Sequence, residues 1–287
     1  MFQNIFYSYE SLCLTFDFQL LEPVTLKKHS MKKLYILFFW ILGISTWAAH
    51  SDVLPSPHNS YIVPASVLAP QDYFITQWDL SKIGSAVSEE TTSLTFGVAV
   101  VGAVNYSWTT TDNSCSGSGV IANGNTTANI TGLPAGKTIV LSIEPANLRR
   151  FYINYGTDKQ RLTDVKQWGV VAWSSLLNAF YGSSNLNISA TDVPNLGNVT
   201  SMYSMFAFCS NLNGPSNINN WDTSKVTSMG YMFCLASVFN QNIGSWNTAN
   251  VTNMSFMFYN ASAFNQNVAH LLKIYKKDEV VAKKVLK

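Results

Sequence analysis

Between Val199 and Val268 the apolar residues return at a fixed step through a background of Asn, Ser and Thr. Phe239 and Phe264 are 25 residues apart, as are Trp221 and Trp246, and as are Met232-Phe233 and Met257-Phe258. The tetrapeptide VTSM or VTNM starts at Val199, Val226 and Val251, with steps of 27 and 25. A diverged copy precedes these. Trp173 to Phe180 (WSSLLNAF) aligns with Val199 to Phe206 (VTSMYSMF) at a step of 26, and both run on alike, as YGSSNLN and AFCSNLN. A period in this range predicts a stacked array. Within one copy, Met254, Met257 and Phe258 fall at i, i+3 and i+4, which predicts one face of a helical turn. The segment FNQNIGSW carries Phe239, Ile243 and Trp246 among polar residues and predicts a short bent strand. The expected coil is therefore strand, turn, short helix, turn, with strands of successive coils in parallel at about 4.8 Å. A single coil holds too few apolar anchors to offset the ordering of its own backbone, so the repeat implies a stack of about four coils.

Upstream the period changes. Leu94, Phe96, Val98 and Val100 alternate with Thr95, Gly97 and Ala99, and Tyr106, Trp108 and Thr110 alternate next. The run from Thr138 to Ile143 and the segment Phe151 to Tyr155 read as further strands, separated by Gly- and Pro-containing turns. Short strands at this spacing predict a small all-β sandwich over 71–155. Gly156 to Gly169 is a polar lead-in, read as the N-terminal cap of the array. The expected fold class is thus an α/β repeat solenoid over 156–268, with parallel strands and short helices, preceded by the sandwich.

The ends follow other rules. Met31-Lys32-Lys33, the apolar run Leu34 to Trp47, and Ala48-Ala49 have the layout of a secretory signal peptide over 31–49. That makes 1–30 an upstream extension and Met31 the expected start. Pro55, Pro57, Pro64 and Pro70 mark 50–70 as a linker, since proline removes amide donors and fixes φ. After Val268 the repeat stops. The tail 269–287 reads as a β-hairpin around Lys276-Lys-Asp-Glu279, with a basic amphipathic helix as the alternative.

Composition excludes more than it assigns. Charged residues are 12% and the net charge is +2, and no basic patch interleaved with aromatics precedes the tail, so a nucleic-acid partner is not expected. The four Cys at 13, 115, 209 and 234 form no CxxC, so no zinc or redox site is expected. Cys209 and Cys234 read as small buried residues, with a disulfide as the alternative. Asn-Val-Thr, Asn-Met-Ser and Asn-Ala-Ser match glycosylation acceptors, but at repeat positions they read as residues that satisfy the backbone.

The segments WDTSKVTSMGYMF and FNQNIGSWNTANVTNMSFMF resemble the BspA-like, leucine-rich-repeat-type surface proteins. That resemblance covers about 160 to 268 and implies a right-handed parallel solenoid displayed on a cell surface for adhesion or protein contact, with no catalytic site. The β-rich block resembles the immunoglobulin-like or polycystic-kidney-type modules of bacterial surface proteins. It departs from the latter after Trp108, where TTTDNSCSGS replaces an acidic loop, and Asp112 alone cannot supply the roughly six oxygens of a calcium site. The Lys-rich tail resembles the last hairpin of the sorting domain used by type IX secretion in Bacteroidota.

These readings converge on a bacterial protein, secreted or on the outer cell surface, that binds a host or neighbouring-cell surface protein or glycan. Contact with a membrane comes only through export and surface attachment. The expected contact residues are Asn240, Gln241, Asn242, Asn265, Gln266 and Asn267, with Trp221 and Trp246 nearby; the competing reading makes the amides structural ladders and the indoles core. No catalytic, metal or cofactor residues are expected. His29, His50, His58 and His270 lie outside the folded blocks, and Asp158 and Asp164 suit a polar cap better than a glycosidase pair. A structural envelope protein, or an accessory part of a secreted hydrolase, is the alternative.

Overall fold

The computed structural model describes residues 69–84 and 92–272. The extension 1–30, the leader 31–49, nearly all of the linker and the tail beyond 272 lie outside the described residues. Among the described residues nine strands form: β1 (Phe74–Asp79), β2 (Leu94–Val100), β3 (Val104–Thr110), β4 (Ser116–Ile121), β5 (Thr127–Ile130), β6 (Thr138–Ile143), β7 (Leu148–Tyr152), β8 (Leu162–Gln167) and β9 (Asn187–Ile188). They assemble into a six-stranded sheet of order β4-β3-β6-β1-β8-β9 and a three-stranded sheet of order β5-β2-β7. All pairings are antiparallel except β8 with β9.

In β1, β5 and β6 alternation puts every second side chain inside, as the period-2 pleat requires. Phe74, Thr76 and Trp78 of β1 are buried, as are Ile139, Leu141 and Ile143 of β6. The two sheets meet through aromatic rings. Phe74 packs edge-on against Phe151 of β7 at 5.2 Å, and Trp78 stacks on Phe96 of β2 at 5.7 Å. The Trp78 indole N–H donates to Thr76 Oγ1 at 2.9 Å, so its polar edge is satisfied inside the core.

Beyond Tyr152, apart from β8 and β9, the chain forms a stack of turns. Here the expected fold class is wrong. The α/β solenoid with short outer helices does not form, and among the described residues the only α-helix is the single turn Ala269–Leu272 (α1). The Met-x-x-Met-Phe segments that carried helical spacing bond sideways instead of along themselves. Met202, Ser204, Phe206 and Phe208 donate their N–H groups to Ser228, Gly230, Met232 and Cys234 O, at 2.8–2.9 Å. Met229, Tyr231, Phe233 and Leu235 donate in turn to Asn253, Ser255, Met257 and Tyr259 O. The intervening N–H groups close i→i−3 turns, as Met205 does to Met202 O and Cys209 to Phe206 O. Left-handed residues break any helix. Asn178, Ser204, Tyr231 and Phe256 have φ of 57°, 52°, 56° and 56°, and four residues further on Gly182, Phe208, Leu235 and Asn260 have φ of 87°, 62°, 61° and 54°.

The FNQNIGSW strand is absent as well. Parallel pairing occurs instead at the VTxM segments, as the isolated bridges Ser201 to Ser228 and Ser228 to Asn253. Nor does a self-contained sandwich precede the stack. β8, expected in the cap, is a member of the six-stranded sheet, and β9 from the first diverged coil pairs with it in parallel.

What holds the stack is side-chain register. Val199, Val226 and Val251 form one buried file, and Met202, Met229 and Met254 another. The rings of Phe180, Phe206, Phe233 and Phe258 stack in sequence at 5.5, 5.6 and 5.7 Å, within 20° of parallel. Phe151 sits 5.9 Å from Phe180, so this file runs on into the sheets, and one buried cluster extends from Phe74 to Leu271.

Candidate binding face

The polar side chains of the repeats are mostly engaged by the next coil. Asn213 Oδ1 accepts from the Asn240 N–H at 3.0 Å, and Asn240 Oδ1 accepts from the Asn265 N–H at 2.9 Å. Gln266 Nε2 donates to Asn240 O and to its Oδ1, both at 3.0 Å. Asn242 and Asn267 accept from the N–H two residues on, those of Gly244 and Ala269. Asn240, Asn242, Asn265 and Asn267 remain exposed and Gln241 and Gln266 half-buried. The two indoles belong to the core. Trp221 is 2% exposed and packs edge-on against Trp168 at 5.5 Å, while Trp246 is 3% exposed and donates from its indole N–H to Ile218 O at 2.8 Å.

The carboxylates are likewise held. Asp158 accepts from Arg161 at 2.8 Å and from the Thr95 N–H at 2.7 Å, and Arg161 donates to Lys82 O and Ser93 O. Asp164 accepts from the Ser189 N–H and hydroxyl and pairs with Lys166 at 3.1 Å. Asp192 accepts from the N–H groups of Trp168 and Gly169. Each ties one stretch of chain to the next. Cys209 and Cys234 are free thiols; burial pushes both above the ordinary thiol range, Cys209 the further, and the Cys209 Sγ lies 3.1 Å from Phe180 O.

One concave feature is built from side chains with no such task. An open groove of ≈ 590 Å³ crosses successive coils, with Tyr181, Tyr203, Phe208, Tyr231, Phe256 and Tyr259 among its walls. Tyr203 lies 5.5 Å from Tyr231, which stacks on Phe256 at 4.9 Å; Phe256 meets Tyr259 edge-on at 6.0 Å. Beside them Tyr155, Tyr181 and Phe208 form a second group, with centroids 5.0–5.9 Å apart. Phe208 and Tyr259 are 39% and 40% exposed. The platform is shaped for these rings. Gly230 occupies the repeat position of Tyr203 one coil on, and a Cβ there would lie 3.0 Å from the Tyr203 ring. Burial, and then the neighbouring Tyr231, Cys234 and Tyr181, raise the Tyr203 hydroxyl above its ordinary pKa, so it stays neutral.

Sequence reasoning missed this groove. Its rings do not share one repeat position: Tyr203 is four residues after its Val199, whereas Tyr231 and Phe256 are each five after theirs. The signal available was an aromatic one or two residues ahead of each Met-Phe pair, in YSMF, YMF and FMF.

Residues 174–281 match the family described as Mycoplasma protein of unknown function, DUF285. The span covers the repeats from Ser174 on and is consistent with a surface protein of the BspA-like kind, the resemblance drawn from the repeats. No curated protein and no solved structure matches the chain.

Proposed function

We propose that this chain is exported and acts at a cell surface as a binding protein, with the turn stack as the part that meets its partner. The observation that carries the reading is the open aromatic groove, in which bulky rings occupy positions that the stack's own hydrogen bonding does not require. Solvent-facing aromatics grouped in a concavity are the usual mark of a contact surface. The signal-peptide layout at 31–49 supports export, and the Lys-rich tail supports surface attachment. The acidic residues beside and within the stack, Asp158, Asp164, Asp192 and Asp222, are engaged in structural hydrogen bonds, which favours binding over catalysis.

The test uses the labelled full chain on intact epithelial cells and on neighbouring bacterial species. Saturable retention that falls on Tyr231→Ala, with unchanged thermal melting, is the expected result. A folded chain retained by no cell type, or retained equally well by the variant, would overturn the assignment.

A further inference from the structure

We infer that the groove binds a neutral, extended glycan, laid along the stack with its sugar rings against Tyr203, Tyr231 and Phe256. This deepens the binding reading above and rests on it. Three observations select the ligand's chemistry. The first is charge: among the described residues lining the groove there is no Asp, Glu, Lys or Arg, and burial raises Tyr203 and Cys234 above their ordinary pKa and keeps both neutral. An ionic ligand would find no counter-charge there.

The second is the shape and polarity of the rungs. The rings recur from coil to coil at 5.5 and 4.9 Å, close to the length of one pyranose unit in an extended chain. Tyr231 is flanked by Tyr203 and Phe256, so a sugar would meet the outer edges of the rings, where the apolar C–H groups and the tyrosine hydroxyls lie side by side. The hydroxyls of Tyr181, Tyr203, Tyr231 and Tyr259 bond to no described residue, so they are open to the ligand's own hydroxyls. Ser204 adds a further hydroxyl to the wall and Asn178 its amide oxygen, the Asn178 Nδ2 donating to Asn154 Oδ1 at 2.8 Å.

The third is what the backbone withholds. A peptide that adds as a strand needs unpaired main-chain groups along an edge. Here the N–H groups of Ser204, Phe208, Tyr231 and Leu235 already bond to the next coil, as do the carbonyls of Tyr203, Ala207 and Gly230 to their own neighbours. A polypeptide would bring an amide and a carbonyl per residue into the groove with only side-chain hydroxyls to meet them. A glycan brings hydroxyls alone.

The left-handed backbone adds weight. In the file Asn178, Ser204, Tyr231, Phe256, asparagine meets the conformation at little cost, whereas a bulky residue at positive φ is disfavoured by roughly 1–2 kcal/mol. Tyr231 and Phe256 stand there against that preference, and both face the groove.

The experiment is calorimetric titration of the full chain with uncharged oligosaccharides of glucose, mannose and N-acetylglucosamine, from two to six units. At least one series should bind with affinity rising with length, and Tyr203→Ala and Tyr231→Ala should each weaken it by about tenfold, while Lys137→Ala, on the surface of the sheets, leaves it unchanged. Added salt should leave the affinity within about twofold, since no charged contact is screened. Retention on cells that survives enzymatic removal of surface glycans, with no oligosaccharide bound, would overturn the glycan assignment and leave the binding reading standing. Preference for a sulfated glycan or for a proline-rich peptide would overturn it equally. Loss of retention on cells altogether would instead remove the reading beneath it.

Discussion

Phe233 shows how much of this molecule is decided by single side chains. It is fully buried and touches Phe206 and Phe258 in its own file, Phe239 at 3.8 Å within its coil, and Trp246 at 6.3 Å. Removing it opens a gap between two coils that cannot close, because both are pinned by main-chain bonds on either side. Phe233→Ala should therefore cost about 3–5 kcal/mol, measured by urea denaturation. By contrast Asn240→Ala removes an acceptor for Asn265 and Gln266 at the surface, where water substitutes, and should cost about 1 kcal/mol. These residues were legible in the sequence: an apolar file returning at 25 to 27 residues is visible without coordinates. That Trp221 and Trp246 lie inside was not, since a periodic indole suits a core and a contact surface equally.

At the scale of elements, the junction between the sheets and the stack is the informative part. The 3-10 turn Thr157–Gln160 leads into β8, and its Asp158 forms a buried pair with Arg161, both side chains under a tenth exposed. Asp158 also caps the start of β2 through Thr95, and Arg161 holds the carbonyls of Lys82 and Ser93. Arg161→Met leaves a buried carboxylate without its cation and should cost about 3–5 kcal/mol. The double change with Asp158→Asn should recover part of that loss, and a thermal melt of the three variants checks it. The element that sequence reading got wrong is the helix. Spacing of i, i+3 and i+4 follows from i→i−3 turns as well as from α-helix, and only the destination of the alternate N–H groups separates them. Those groups bond to carbonyls 24 to 26 residues away, which local spacing cannot report. Asn178 and Gly182 do announce left-handed backbone, but Ser204, Tyr231, Phe208 and Leu235 hide it in the copies that follow.

For the whole molecule, the continuity of the Phe151–Phe180–Phe206–Phe233–Phe258 file matters most. The sheets cover the first coil, and each coil covers the next, so the stack needs no separate N-terminal cap. The same register leaves the groove rings open along one side. The central claim is that Tyr231 stands where it does for a ligand and not for the fold. Tyr231→Asn separates the two, because asparagine suits a φ of 56° while removing the ring. Its melting temperature and its retention on cells are to be measured on one preparation of the full chain. Stability within about 1 kcal/mol of the parent together with lost retention is the predicted result. A loss of stability approaching that of Phe233→Ala, or unchanged retention, would contradict it.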